Sequence, residues 1–153
     1  MSFVGTFSIE GTCIRTVRLK AKGLRFNCLR CATFCCRLGG PVVTSKDLAR
    51  LRTAIPEIDD LIETVAVGKG ISRVVSSNPD GQCALLSKES QNKFRCSKYK
   101  LRPDICRTYP FKLIRKDARL TVLVFPCRGL NYRKGELIDE EFVRKYLRFA
   151  TVA

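Results

Sequence analysis

The spacing of apolar residues along this chain changes several times, and each change marks an element. From residue 3 to residue 20 an apolar, threonine-rich run reaches Ile9, turns at Glu10-Gly11 and returns from Thr12 to Lys20, which predicts a β-hairpin. On the return arm Cys13, Arg15, Val17 and Leu19 share one face, and Thr12, Ile14, Thr16, Arg18 and Lys20 share the other. Thr44 with Asp47 three residues on is a capping-box-like start for a helix from Ser45 to about Thr53, with Leu48, Leu51 and Ile55 as its apolar stripe. Pro56 stops that helix and opens a second short one, with Glu57, Asp59 and Asp60 in its first turn, where the helix dipole favours carboxylates. These acids read as caps rather than as catalytic groups.

Val65 to Val67 and Ile71 to Ser76 read as short strands, and Asn78-Pro79-Asp80-Gly81 as a turn. Cys83-Ala84-Leu85-Leu86 reads as a strand that leads through a polar loop to Phe94-Arg95-Cys96. Phe111 to Arg115 and Arg119 to Phe125 predict a second hairpin around Lys116-Asp117-Ala118, and the nearly continuous apolar run from Leu120 to Phe125 belongs in a central or covered position. From Asp139 to Val152, Phe142, Val143, Tyr146, Leu147 and Ala150 recur at three- and four-residue spacing, predicting an amphipathic helix that covers the core. The expected fold class is α+β. It is read as a small single domain over residues 1–153: an N-terminal hairpin (1–25), a cysteine-cluster core of irregular metal-bound loops (26–135) and a C-terminal helix (136–153).

At 153 residues such a domain buries about two-thirds of its unfolded surface, so it needs no metal merely because it is small. The cysteines change that picture. Of the nine, Cys28, Cys31, Cys35 and Cys36 fall in the single stretch from Phe26 to Arg37. A two-residue gap lets one tight turn aim two thiolates at the same ion, and soft thiolates select zinc, copper(I) or iron–sulfur clusters. A disulfide framework fits poorly, because adjacent Cys35 and Cys36 are poor partners and the total is odd. Cys13 lies inside a predicted strand and reads as packing. The remaining eight, Cys28, Cys31, Cys35, Cys36, Cys83, Cys96, Cys106 and Cys127, divide into two sets of four, enough for two tetrahedral sites or two cubane clusters. One four-cysteine site with spare thiols, or a shared binuclear site, are the alternatives. Histidine is absent, which removes imidazole bases, Ser-His-Asp triads and zinc-hydrolase helices.

The combination of Cys28, Cys31, Cys35, Cys36, Cys83 and Cys96 with Arg102-Pro103-Asp104-Ile105-Cys106-Arg107-Thr108-Tyr109-Pro110, closed by Cys127-Arg128-Gly129, resembles the YkgJ-type cysteine-cluster family of zinc- or iron-chelating domains. The resemblance covers roughly Phe26 to Gly135, and its most specific part is the Arg-Pro-x-x-Cys-Arg element. The chain departs from the pattern by one residue: three residues, Ala32, Thr33 and Phe34, precede the Cys-Cys pair where two are usual. Either Cys35 or Cys36 therefore takes the usual ligand position. The resemblance implies metal ligation by the eight cysteines, with Arg102, Pro103, Arg107 and Tyr109 around them. Pro103 suits the first turn of a short helix, which would set the Cys106 thiolate near backbone dipole and guanidinium charge. Similar patterns occur in iron–sulfur oxidoreductases and flagellin lysine methylases, so an iron–sulfur enzyme or electron carrier is the alternative function. No GxGxxG or Walker sequence is present, and no nucleotide cofactor is expected.

The formal charge of +15 remains strongly basic even after metal binding deprotonates its ligands. No acidic residue lies between Gly11 and Ser45, and from Lys88 to Lys134 there are 14 basic residues against Glu89, Asp104 and Asp117. This surplus exceeds what thiolate neutralisation needs, and the expected partner is RNA or the ribosome. The expected contacts are Arg15, Arg18, Lys20, Lys22, Arg25, Arg30, Arg37, Lys93, Arg95, Lys98 and Lys100, with Phe26, Phe94 and Tyr99 stacking on bases. The opening residues lack a signal-peptide pattern and no apolar run reaches membrane-spanning length, so the expectation is a cytoplasmic protein. Clustered cysteines in a reducing compartment favour metal over disulfides.

Overall fold

A computed structural model describes residues 2–10, 13–19, 23–116 and 119–147. Along the described chain run β1 (Ser2–Glu10), β2 (Cys13–Leu19), β3 (Arg25–Phe26), α1 (Ser45–Arg52), β4 (Ile62–Val67), β5 (Gly70–Val75), β6 (Leu86–Ser90) and β7 (Lys93–Cys96). Then follow α2 (Asp104–Thr108), β8 (Phe111–Lys116), β9 (Arg119–Val124), β10 (Glu136–Leu137) and α3 (Glu140–Leu147), with single 3-10 turns at Ile58–Leu61 and Tyr99–Leu101. The class is α+β, and the strand pairings are antiparallel hairpins and ribbons. No helix among the described residues is long and apolar enough to cross a membrane. The chain forms two compact units, residues 1–29 with 108–153, and residues 30–107.

In the first unit the two predicted hairpins join into one sheet in the order β2-β1-β9-β8. The apolar arm β9 takes an inner position between β1 and β8, as its composition requires. Phe26, Phe111, Val122, Val124, Ile138, Phe142 and Val143 are buried together. Phe26 meets the ring of Phe111 edge-on at 5.4 Å, and Phe142 stacks on Tyr146 at 4.8 Å, so α3 covers an aromatic core. Asp139 starts α3 by accepting the Phe142 amide at 2.8 Å. The rest of the helix expected over 148–152, the hairpin turn at Gly11 and the turn residues Asp117 and Ala118 lie outside the described residues. The stretch after Leu24 runs beside 127–130: the Asn27 amide donates to Gly129 O at 3.0 Å. A Cβ at Gly129 would stand 2.0 Å from the Asn27 oxygen, so only glycine permits this approach.

The second unit is built on α1. The predicted capping box is present, with Thr44 and Asp47 exchanging side chain to backbone bonds. Leu48, Leu51, Ile55 and Ile58 pack with Val43, Val75, Cys83 and Leu85. The β4–β5 hairpin is fastened to the chain before α1 by Val43 N to Arg73 O and Val75 N to Pro41 O. The strand expected to begin at Cys83 is instead a bridge from Ser77 to Cys83 and a turn closed by Leu86 N on Cys83 O. Strand geometry begins only at Leu86, and what reads as a polar loop is the hairpin β6–β7. Its first strand is exposed at Ser87, Lys88, Glu89 and Ser90, so it lacks the apolar alternation that marks a strand.

Asp47 does more than cap a helix. Its carboxylate is buried and accepts the Thr44 amide (3.0 Å), the Thr44 hydroxyl (2.8 Å), the Asp104 amide (3.0 Å) and the Arg50 guanidinium (2.6 Å). Arg50 also reaches Asp104 Oδ1 at 2.9 Å and Arg102 O at 3.0 Å, so α1 holds the start of α2. Burial alone would push the Asp47 carboxyl up, but these donors outweigh it and hold the group below the usual carboxylate range. A depressed folded value adds stability above the unfolded value of about 4, and that stability is lost as pH falls through the folded value. Asp47→Asn should therefore cost about 3 kcal/mol in urea unfolding at pH 7, as expected for breaking a buried pair. The gap from the unsubstituted protein should close steadily as unfolding is repeated below about pH 4.

Candidate metal centre

The segment from Arg30 to Arg37 is wound tightly. Arg30 and Ala32, on either side of Cys31, both adopt left-handed backbone with φ of 54°. Each such non-glycine residue costs on the order of 1 kcal/mol, so the surrounding structure must impose it. The amides of Cys36 and Arg37 both donate to Ala32 O, which closes a turn and leaves the sulfurs of Cys35 and Cys36 3.6 Å apart. Cys83 is tied to this turn by its amide, which donates to Cys36 O at 2.8 Å. Cys36, Cys83 and Cys96 border the apolar cluster around α1. Cys96 ends β7 opposite Leu86, and Cys106 lies in α2, the element that Asp47 and Arg50 hold.

Several of these thiols feel one another's charge. Burial pushes the Cys106 thiol up, and charge on Cys83, Cys96 or Cys35 pushes it further, with Arg102 opposing. Burial likewise raises Cys83, against the amides of Leu85 and Leu86 that favour its thiolate, and Cys96 and Cys35 add to the rise. Cys96 is raised by burial against the Lys98 amide and Arg102. Cys36 is raised by its hydrogen bond to Cys35, by burial and by the charges of Cys35, Cys106 and Cys83. Cys35 moves the other way, to about 7, because the Cys36 thiol donates to it and nearby amides and Arg102 outweigh its burial.

Five of the eight expected ligands, Cys35, Cys36, Cys83, Cys96 and Cys106, thus lie in the unit of residues 30–107 within range of one another's charge, and the sulfurs of Cys35 and Cys36 are in contact. Cys31 belongs to the same unit. Cys28 and Cys127 belong to the other, where Cys28 is exposed and Cys127 accepts the Gly129 amide at 3.4 Å. As placed, no three Cys, Asp or Glu side chains among the described residues form a set that could hold an ion. The donor chemistry nevertheless suits a soft metal. The thiolates of Cys36, Cys83, Cys96 and Cys106 are disfavoured by burial or by their neighbours' charge, and a cation among them would offset both effects. Amides two and three residues after Cys83, and two after Cys96, already favour the charged sulfur.

The residues expected around the ligands separate by role. Arg102 is the cation that acts on Cys35, Cys96 and Cys106, and its guanidinium lies 3.9 Å from the centre of the Tyr99 ring. Arg107 turns back to Arg102 O and Lys100 O and braces the loop. Pro103 is fully buried at the start of α2. Tyr109 belongs to the other unit, where it stacks on Phe125 and its hydroxyl donates to Pro126 O, next to Cys127. The clamp made by Asp47, Arg50 and Asp104 was not legible from sequence spacing, since its partners are 54 and 57 positions apart.

The expected polyanion contacts are also dispersed. Arg25 holds Gly135 O, Arg30 pairs with Glu89, Arg37 lies over the Phe94 ring, and Lys98 reaches Ala54 O. Lys93, Arg95 and Lys100 are exposed, with Arg95 3.6 Å from Glu89. Arg15 and Arg18 fall on β2, and Lys20 and Lys22 lie outside the described residues. Stacking of bases on Phe26 is ruled out by its burial in the aromatic core, while Phe94 and Tyr99 each already carry an arginine on one face.

A sequence family described as a "putative zinc- or iron-chelating domain", CxxCxxCC, matches residues 27–128. The chain belongs to that family. The matched CxxCxxCC region spans all eight cysteines from Cys28 to Cys127 and leaves Cys13 outside. An uncharacterized protein of Methanocaldococcus jannaschii is 33% identical over 139 residues, covering 83% of this chain and 72% of its own length. No solved structure matches the chain. Within the CxxCxxCC cluster, the thiol environments predict an order of reactivity in reduced, metal-free protein. Iodoacetamide should modify Cys35 first, with a rate half-maximal near pH 7, and Cys36, Cys83 and Cys106 last. Mass spectrometry of peptides after timed alkylation measures that order.

Proposed function

We propose that this protein is a thiolate metal chelator whose 30–107 unit holds zinc or an iron–sulfur cluster on sulfurs drawn from Cys35, Cys36, Cys83, Cys96 and Cys106. The observation that supports the reading is the contact of the Cys35 and Cys36 sulfurs on a turn tied by its backbone to Cys83, with Cys96 and Cys106 in the same unit and within range of their charge. Bound metal would add positive charge to that which Arg102 already brings to these thiolates. The chain's own residues do the rest. Ala32 O gathers the turn that carries Cys35 and Cys36, Asp47 and Arg50 fix the helix that carries Cys106, and Arg102 offsets thiolate charge. A reducing cytoplasm would keep the ligands available.

Anaerobic purification followed by elemental analysis tests this, with zinc and no colour, or iron with sulfide and a brown colour, as the two supporting outcomes. Iron with sulfide would direct the search toward redox or modification chemistry. Cys83→Ser and Cys106→Ser should each lose metal and lower the melting temperature by about 10 °C, because metal binding contributes directly to folding. Unchanged metal content and melting in both variants would refute the assignment.

A second reading adds RNA or ribosome association, favoured by the basic tracts and by the exposure of Lys93, Arg95 and Lys100. Contacts to phosphate release counterions, so affinity for single-stranded homopolymeric RNA should fall at least about tenfold between 50 and 200 mM salt. Absent or salt-insensitive binding would remove RNA from the account.

A further inference from the structure

The β4–β5 hairpin leaves one edge open. β5 is flanked by β4 on one side and by residues 41–43 on the other, through Val43 N to Arg73 O and Val75 N to Pro41 O, while no further strand pairs with β4 among the described residues. The two-residue loop Gly68-Lys69 closes on the pair Val67 and Gly70, which in such a hairpin is a hydrogen-bonded pair, and bonded pairs alternate along an antiparallel ribbon. Glu63, Val65 and Val67 therefore turn their backbone groups to β5, and Ile62, Thr64 and Ala66 turn theirs to the open side. Other edges carry cations that discourage pairing: Arg15 and Arg18 on β2, and Lys112, Arg115 and Lys116 on β8. β4 reads Ile-Glu-Thr-Val-Ala-Val, with no Lys, Arg or Pro and no bulge against β5. At the hairpin tip Val67 and Ile71 are 52% and 78% exposed, two apolar side chains left in water.

We infer that β4 is a self-association edge, on which a second copy of this chain pairs antiparallel about a two-fold axis through Thr64. The inference does not depend on the metal-chelating reading. A two-fold interface uses the same patch twice, so the patch must complement itself. With Thr64 opposite the partner's Thr64, a favourable cross-strand pair, Ala66 faces the partner's Ile62 and Glu63 faces the partner's Val65. Within each hairpin Ile71 is the neighbour of Ala66, and Val75 is the neighbour of Ile62. Ile71, Ala66, the partner's Ile62 and the partner's Val75 then form one row, which carries the exposed tip onto the apolar cluster around α1. On the opposite face Val67 comes beside the partner's Leu61, which borders the same cluster. Centring the pair one residue either way loses this match, because it sets Glu63 against the partner's Glu63 or Val67 against the partner's Glu63. The charges agree with the central register. Lys69 at the tip reaches the partner's turn bearing exposed Asp59 and Asp60, and since Arg52 already holds Asp59, Asp60 is left to meet Lys69.

The test measures the mass of the full chain by analytical ultracentrifugation over a range of protein concentrations, in reducing, low-salt buffer so that no disulfide joins copies and surface charges are not screened. The unsubstituted protein, Ile71→Lys, Lys69→Glu and the double variant Lys69→Glu with Asp60→Lys are compared. All three substituted side chains are exposed, so each variant should keep the unsubstituted melting temperature. The unsubstituted protein should sediment as a dimer at tens of micromolar. Ile71→Lys and Lys69→Glu should each raise the dimer dissociation constant at least about tenfold, and the double variant should recover the dimer. A monomer at every concentration would overturn the inference and leave the edge to a different chain. A dimer unchanged in Ile71→Lys and Lys69→Glu would put the contact on another surface and overturn it too, as would a double variant no tighter than Lys69→Glu alone.

Discussion

The buried carboxylate of Asp47 is the constraint on which the 30–107 unit depends. It is nearly inaccessible to water and is surrounded by four donors, two from Thr44, one from the Asp104 backbone and one from Arg50. A carboxylate so placed is costly unless every acceptor site is used, and here the same bonds that satisfy it join α1 to α2. Cys106 inherits its position from this clamp. The loop before it is braced from both sides, by Arg50 on Leu101 O and Arg102 O and by Arg107 on Lys100 O and Arg102 O.

Around that clamp the thiols create the opposite electrostatic problem. The carboxylates of Asp47 and Asp104 are balanced by Arg50 and, 4.0 Å from Asp104, Arg107, but the charges of neighbouring cysteines raise the cost of ionising Cys36, Cys83 and Cys106. The backbone offers partial relief through amides aimed at Cys83 and Cys96, and Arg102 adds a cation steadied over the Tyr99 ring. A bound metal ion would take thiolates as ligands and add positive charge to that of Arg102. The basic surplus has a second local use: Arg30 and Arg95, next to Cys31 and Cys96, both approach Glu89 and so anchor the β6–β7 hairpin beside the ligand segments.

Much of this was legible in the sequence because its signals are local. The capping box at Thr44 and Asp47, the two terminal hairpins, the inner place of β9 and the short helix after Pro103 all follow from neighbouring residues, and all are present. The hairpin β6–β7 was not legible, because strands exposed on their polar positions carry no period-two apolar pattern. The turn at Cys83 reads as a strand from sequence because Cys83, Ala84, Leu85 and Leu86 form an apolar run with no turn residue, and all four pack on the α1 core. Phe26 lies next to basic and cysteine residues in sequence and gave no local hint that an aromatic core from the other end of the chain would bury it. The eight cysteines were legible as a set, but their division, with six in the unit of residues 30–107 and Cys28 and Cys127 in the other, depends on contacts between distant segments.

The central claim is that the cysteines of the 30–107 unit make an all-sulfur metal site. X-ray absorption at the edge of the bound metal measures its first coordination shell directly. The account predicts four sulfur ligands, at about 2.3 Å if the metal is zinc, with no nitrogen or oxygen neighbour from the protein. A shell dominated by oxygen or nitrogen donors would contradict it, because the cysteines assigned to the site offer only sulfur.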